Sequence, residues 1–127
     1  MNKNILIVEN ETSVLNIMEF ILSQSNYNVI KARTGKEALH LIFKYRTLDL
    51  CYLKTSLPDI SGFSILNQCS KKILTLPIIL ITDKSIEECQ KKGYTFGAYG
   101  ILYKPFDIEE ILMITNQILR KAHGKNR

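Results

Sequence analysis

Four places in this 127-residue chain carry residues that could act on charge, and each lies at the end of an apolar run. Ile5-Leu6-Ile7-Val8 is followed by Glu9, Asn10 and Glu11. The stretch LCYLK ends on Lys54, with Thr55 and Ser56 after it. Ile78-Ile79-Leu80-Ile81 leads to Thr82 and Asp83, and Tyr99 to Tyr103 leads to Lys104, then Pro105 and Phe106. A carboxylate offers the hard anionic oxygen that Mg²⁺ selects. A hydroxyl and an ammonium offer donors to an anion. Lys54 is the odd member. Its ammonium has no lone pair for nucleophilic attack, and within a few ångströms it repels a cation by several kcal/mol in a partly desolvated site. Glu9, Lys54 and Lys104 together sum to +1. That balance suits an ion pair, with Lys54 bonded to Glu9 and Asp83 as a second partner. The alternative is a Lys54 that extends its head to water.

The segments before these residues must bring them together. Ile5–Val8 is short, apolar and partly β-branched, as a strand covered on both faces should be. Val14, Ile17, Met18, Ile21 and Leu22 then recur with helical spacing. Tyr27-Asn28-Val29-Ile30 reads as a second strand. Thr34 and Glu37 form a capping box ahead of a helix carrying Ala38, Leu39, Ile42 and Phe43. Leu50–Leu53 is the third strand, and Ser61-Gly62 opens a helix with Phe63, Leu66 and Cys69. A fourth strand follows Pro77. Ser85 and Glu88 pair as a cap before a polar helix ending near Gly93. Tyr99–Tyr103 is the fifth strand, and Asp107 with Glu110 caps a last helix with the stripe Ile108, Ile111, Leu112, Thr115, Ile118 and Leu119. Strand and helix alternate five times, which implies an α/β fold with a parallel sheet and helices on both faces. In such sheets the functional crevice lies beyond the carboxyl ends of the strands.

Size and composition narrow the classes. The length fits one domain, expected over residues 1–121, with a basic tail at 122–127. No apolar stretch approaches a membrane helix, and Met1-Asn2-Lys3-Asn4 runs straight into a strand, so no signal peptide is expected. The three cysteines have neither zinc nor disulfide spacing and read as reduced thiols of a cytoplasmic protein. Net charge is +5, but Arg120, Lys121, Lys125 and Arg127 supply four of the positive charges. Without them thirteen positive residues face twelve negative ones. Direct nucleic-acid binding is therefore not expected of this domain, since groove-reading motifs are also missing. A glycine-rich phosphate loop, a nucleophile elbow and a metal cluster are likewise absent from the sequence. His40 reads as solvated, and Tyr94 and Phe96 as packing residues.

The segments ILIVENE (5–11), DLCYLKTSLPDISGF (49–63), PIILITD (77–83) and YKPFDIEEIL (103–112) resemble, in order and spacing, the receiver domain of two-component response regulators. The likeness spans essentially residues 3–121. It implies a doubly wound, flavodoxin-like three-layer sandwich of five parallel strands in the order 2-1-3-4-5. In that family an aspartate ending strand three accepts a phosphoryl group from a partner histidine kinase, and two acidic residues after strand one help hold Mg²⁺. A Thr or Ser after strand four and a Lys after strand five contact the phosphoryl group. By resemblance Thr82 and Lys104 take these last two places, Glu9 and Asn10 fall on the acidic pair, and Lys54 falls on the phosphoacceptor. Asp83 stands where a small residue is usual. Ile101 stands where receivers often carry a switching aromatic ring. The Lys104–Pro105 bond is cis in the family.

The resemblance with these departures implies an atypical receiver, a pseudo-receiver, with a degenerate phosphoacceptor pocket of Glu9, Asn10, Lys54, Thr82, Asp83 and Lys104. No catalytic residue, no Mg²⁺ and no phosphorylation at position 54 are expected, and the chain is read as a binding module rather than an enzyme. Its partner would be a signalling protein, a kinase or an output protein. The family's partner face is built from the fourth helix, the fifth strand and the last helix, where Met113 and Ile114 lie off the apolar stripe and also suit a homodimer. Two alternatives stand beside this. One is a regulator phosphorylated at another residue, Thr55 or Ser56 among them. The other is the receiver portion of a transcriptional regulator, with RKAHGKNR as part of a linker.

Overall fold

The computed structural model describes residues 2–72, 75–83 and 86–124, apart from the side chains of 86–88 and 121–124. The chain runs β1 (Asn4–Val8), α1 (Thr12–Gln24), β2 (Asn28–Ala32), α2 (Gly35–Lys44), β3 (Leu50–Lys54), α3 (Gly62–Lys72), β4 (Ile78–Thr82), α4 (Ile86–Thr95), β5 (Gly100–Tyr103) and α5 (Ile108–Gly124). The strands form one parallel sheet in the order β2-β1-β3-β4-β5, as the sequence implies. The Ser85–Glu88 cap and most of the basic tail lie outside the described residues.

Every residue of β3 and β4 is buried, which is why both read as unbroken apolar runs. One face of the sheet packs Leu6, Val8, Leu53 and Leu80 against α2, α3 and α4 through Ala38, Ile42, Leu66 and Cys89. The other packs Ile5, Ile7, Tyr52 and Ile81 against α1 and α5 through Leu15, Met18, Leu22 and Ile111. Among the described residues no helix is long and apolar enough to cross a membrane.

Three expected details shift. The second strand starts at Asn28, because Asn26 adopts a left-handed backbone (φ 68°) that ends α1. Tyr27 N–H donates to Leu22 O and Asn26 N–H to Ser23 O, the double closure of a Schellman turn. The buried stripe of α1 is Leu15, Met18, Ile21 and Leu22, and Ile17 is 54% exposed. The apolar arc of α1 is wider than the strip the sheet can cover, so its edge faces out. On α5, Ile108 is likewise exposed, whereas Ile114 packs against the core. Thr115 is buried for a polar reason. Its hydroxyl lies 2.5 Å from the Tyr52 hydroxyl, which no other described side chain would satisfy beneath α5.

The capping signals hold at two helices. Thr34 Oγ1 accepts from Glu37 N–H (3.1 Å), although the Glu37 carboxylate reaches back to Arg33 N–H rather than to Thr34 N–H. Asp107 and Glu110 close both halves of their box.

Candidate functional site

Register places the site. Val8 pairs with Leu53, so Glu9 leaves the sheet beside Lys54. Lys54 pairs with Ile81, which sets Thr55 beside Thr82. Thr82 pairs with Tyr103, so Lys104 follows on the next strand, its N–H donating to Thr82 O (2.8 Å). The loop after β3 is clamped at both ends. Gly62 N–H donates to Thr55 O, and a Cβ on Gly62 would stand 2.1 Å from Lys54 O, so only glycine fits there. Further along, Asp59 accepts from Gly35 N–H (2.7 Å) and Lys36 N–H (2.9 Å) at the start of α2. Those bonds hold its carboxyl below the usual aspartate range.

Two lysines and two glutamates meet at this rim. Lys54 Nζ lies 3.1 Å from Glu9 Oε2 and 2.9 Å from Glu11 Oε1. Lys104 Nζ lies 2.9 Å from Glu9 Oε1 and 3.0 Å from the same Glu11 oxygen. The Glu9 side chain is fully buried, those of Lys54 and Lys104 are 9% and 14% exposed, and that of Glu11 is 50% exposed. Glu9 Oε2 also accepts from Glu11 N–H, which fixes the turn out of β1. The four charges sum to zero.

Burial alone would depress the Lys54 pKa. Hydrogen bonds with Glu11 and Glu9, and their charges, outweigh it and hold the ammonium above the ordinary lysine value. Hydrogen bonds from Lys54 and Lys104 push Glu11 down to about 2. Lys54 is therefore a cation wedged between carboxylates.

The sequence-predicted residues divide here. Glu9, Lys54 and Lys104 come together. Thr82 is buried and accepts from Thr55 Oγ1 (3.0 Å). Asn10 is exposed on the turn. Asp83 is also exposed, and the second partner of Lys54 is Glu11, not Asp83. Glu11 corrects the expected rim charge of +1 as well. Its sequence signal was its place two residues beyond Glu9, on the same turn. Ile101 is half-buried against the α4 side of the core, His40 is exposed, and the Lys104–Pro105 peptide bond is cis. Tyr94, expected to pack, is 53% exposed, while Phe96 packs on the core.

Residues 5–116 match the model of the response regulator receiver domain. The chain belongs to that family. This receiver is 37% identical over 125 residues to "Probable transcriptional regulator ycf29" of Porphyra purpurea, a match covering 96% of this chain and 59% of that protein. It is 38% identical over 123 residues to the response regulator ArlR of Staphylococcus epidermidis, covering 97% of this chain and 55% of that one. The receiver thus spans a little over half the length of these curated relatives. Among solved structures it resembles a CheY-like receiver domain protein from Methanospirillum hungatei, with a TM-score of 0.91 at 26% identity over 98% of this chain and 99% of that chain. A response regulator from Chloroflexus aurantiacus matches with a TM-score of 0.87 at 30% identity, over 94% and 99% of the two chains.

Proposed function

We propose that this receiver is a pseudo-receiver, a signalling module that works by protein–protein contact without phosphorylation at its strand-three position. The observation that carries this reading is the Lys54 ammonium, 3.1 Å from Glu9 and 2.9 Å from Glu11 at the end of β3. There the family resemblance calls for an aspartate. An ammonium cannot form an acyl phosphate.

The donor set also does not suit Mg²⁺. The ion needs several hard oxygens in near-octahedral array. Here the oxygens of Glu9 are bound to Lys54 and Lys104, and Glu11 is shared by both lysines. Lys54 takes the electrostatic part of a metal by holding the turns after β1, β3 and β5 in one arrangement. No catalytic role is assigned to any residue, and a cytoplasmic site of action goes with this reading.

The partner is a signalling protein, a kinase or an output protein, that binds the face of α4, β5 and α5. That face displays Tyr94, Tyr99 and Met113, each more than half exposed. A second copy of the chain is the other occupant this face suits.

The test is incubation with acetyl phosphate and Mg²⁺ followed by intact mass measurement. An unchanged mass is expected. A gain of one phosphoryl group would favour a regulator phosphorylated elsewhere, and fragmentation would locate it. Thr55 is 3% exposed and ill placed for a kinase, whereas Ser56 is exposed.

A second reading is favoured by the extent of the matches. The curated relatives run to nearly twice the matched length, and several are named as transcriptional regulators. On that reading this receiver is the regulatory half of a longer transcriptional regulator. The length of the native reading frame decides it.

A further inference from the structure

We propose that Lys54 and Lys104 form an oxyanion-binding site that the chain's own Glu11 carboxylate holds shut. The inference deepens the reading of the rim as metal-free and rests on it. Both ammonium nitrogens converge on a single oxygen, Glu11 Oε1, at 2.9 and 3.0 Å. Two largely buried cations aimed at one oxygen make a setting for an inorganic oxyanion as much as for a carboxylate.

Of the two acids, Glu9 is fixed. It is fully buried, grips both lysines and accepts a backbone N–H. Glu11 is the displaceable one. Its side chain is half exposed, and although it occupies the N-cap of α1 it makes no capping hydrogen bond to that helix. Withdrawing it would leave two ammonium groups on one carboxylate, a surplus positive charge in a poorly hydrated site.

Room for the exchange exists. Glu11 and Lys104 line a cavity of about 490 Å³ whose other walls include Val14, Ile17 and Phe106. It gives an ion a way in and the Glu11 side chain a place to go. Asp83 also lines the cavity and disfavours an anion, but it is exposed and its charge is screened by salt. The ligand class is a tetrahedral oxyanion, phosphate or sulfate, either free or carried as a phosphoryl group on a partner's side chain.

The test is calorimetric titration of wild type, Glu11→Gln and Glu11→Gln/Lys104→Gln with inorganic phosphate, using chloride at matched ionic strength as the control. A tethered carboxylate competes at an effective concentration in the millimolar range or above. Glu11→Gln should therefore bind phosphate at least about tenfold more tightly than wild type, and the double variant should lose that gain. A phosphoserine peptide in place of the free ion distinguishes the two sources; tighter binding of either by Glu11→Gln supports the site. Circular dichroism checks that each variant is folded, and Glu11→Ser serves if the glutamine variant is not. Phosphate binding no tighter in the single variant than in wild type, or equally tight in the double variant, would overturn the proposal. Saturable Mg²⁺ binding by the wild type would instead overturn the metal-free reading beneath it.

Discussion

Replacing Lys54 with Met removes one charge from a closed set of four and keeps a side chain of similar reach. Left behind are the buried Glu9 and the half-exposed Glu11, both now dependent on Lys104. Unit charges at the observed 3.1 Å attract by about 5 kcal/mol at an effective dielectric constant near 20, before dehydration is counted. Dehydration offsets part of that, and breaking one partner out of a buried pair generally costs about 3–5 kcal/mol. Lys104 still neutralises Glu9, and the methionine gains apolar contact, so the lower end applies. We expect a loss of about 3 kcal/mol, or roughly 10 °C in Tm for a domain of this size. Glu9→Gln should cost a similar amount. The double variant should cost less than the sum, with a coupling of about 1–3 kcal/mol. The assay is urea unfolding of the four proteins at neutral pH and low salt. A coupling below about 0.5 kcal/mol would place the two sites among independent ones and refute the bridge. A Lys54→Met variant as stable as wild type, or more stable, would refute it too.

Other outcomes follow from the same geometry. Glu11 has a folded pKa of about 2 against an ordinary 4.5, so its contribution is present above 4.5 and is lost as pH falls from there through 2. Acid unfolding monitored by circular dichroism should show this limb flattened in Glu11→Gln, and an identical limb in both proteins would contradict the pairing. For Lys54, whose folded pKa lies above 10.5, stability is fully present below 10.5 and fades as pH rises through the higher folded value. Thr115→Val should cost about 1–3 kcal/mol by stranding the Tyr52 hydroxyl, and adding Tyr52→Phe should recover most of it in the same unfolding assay. Gly62→Ala drives a Cβ into Lys54 O, so its thermal transition should fall far below that of the surface control Lys36→Ala. In Asp59→Ala the amides of Gly35 and Lys36 should exchange faster with solvent while those of β3 keep their protection.

How much of this was written in the sequence differs from residue to residue. The apolar runs and helical stripes mark all ten elements, since burial on both faces leaves β3 and β4 no polar position until their ends. Strand order came from resemblance, because periodicity says nothing about neighbours. Pairing of Lys54 with Glu9 was legible once β1 and β3 were adjacent, for both residues close their strands. The role of Glu11 was not. It sits on a turn, where the direction of a side chain is set by backbone angles rather than by a period, and Asp83 looked the nearer partner by position alone. Side-chain alternation explains the miss: Thr82 turns inward to Thr55, so the next residue turns out to water. The edges of α1 and α5 were overread for a related reason. Ile17 and Ile108 fit the helical spacing, but the sheet covers only a narrower strip of each helix.

A crystal structure of the protein grown with Mg²⁺ and beryllofluoride tests the central claim most directly. Lys54 Nζ should remain within ion-pair distance of Glu9, with no divalent cation beside it. A cation coordinated by Glu9, with the Lys54 side chain turned away to solvent, would contradict a rim closed by its own lysine.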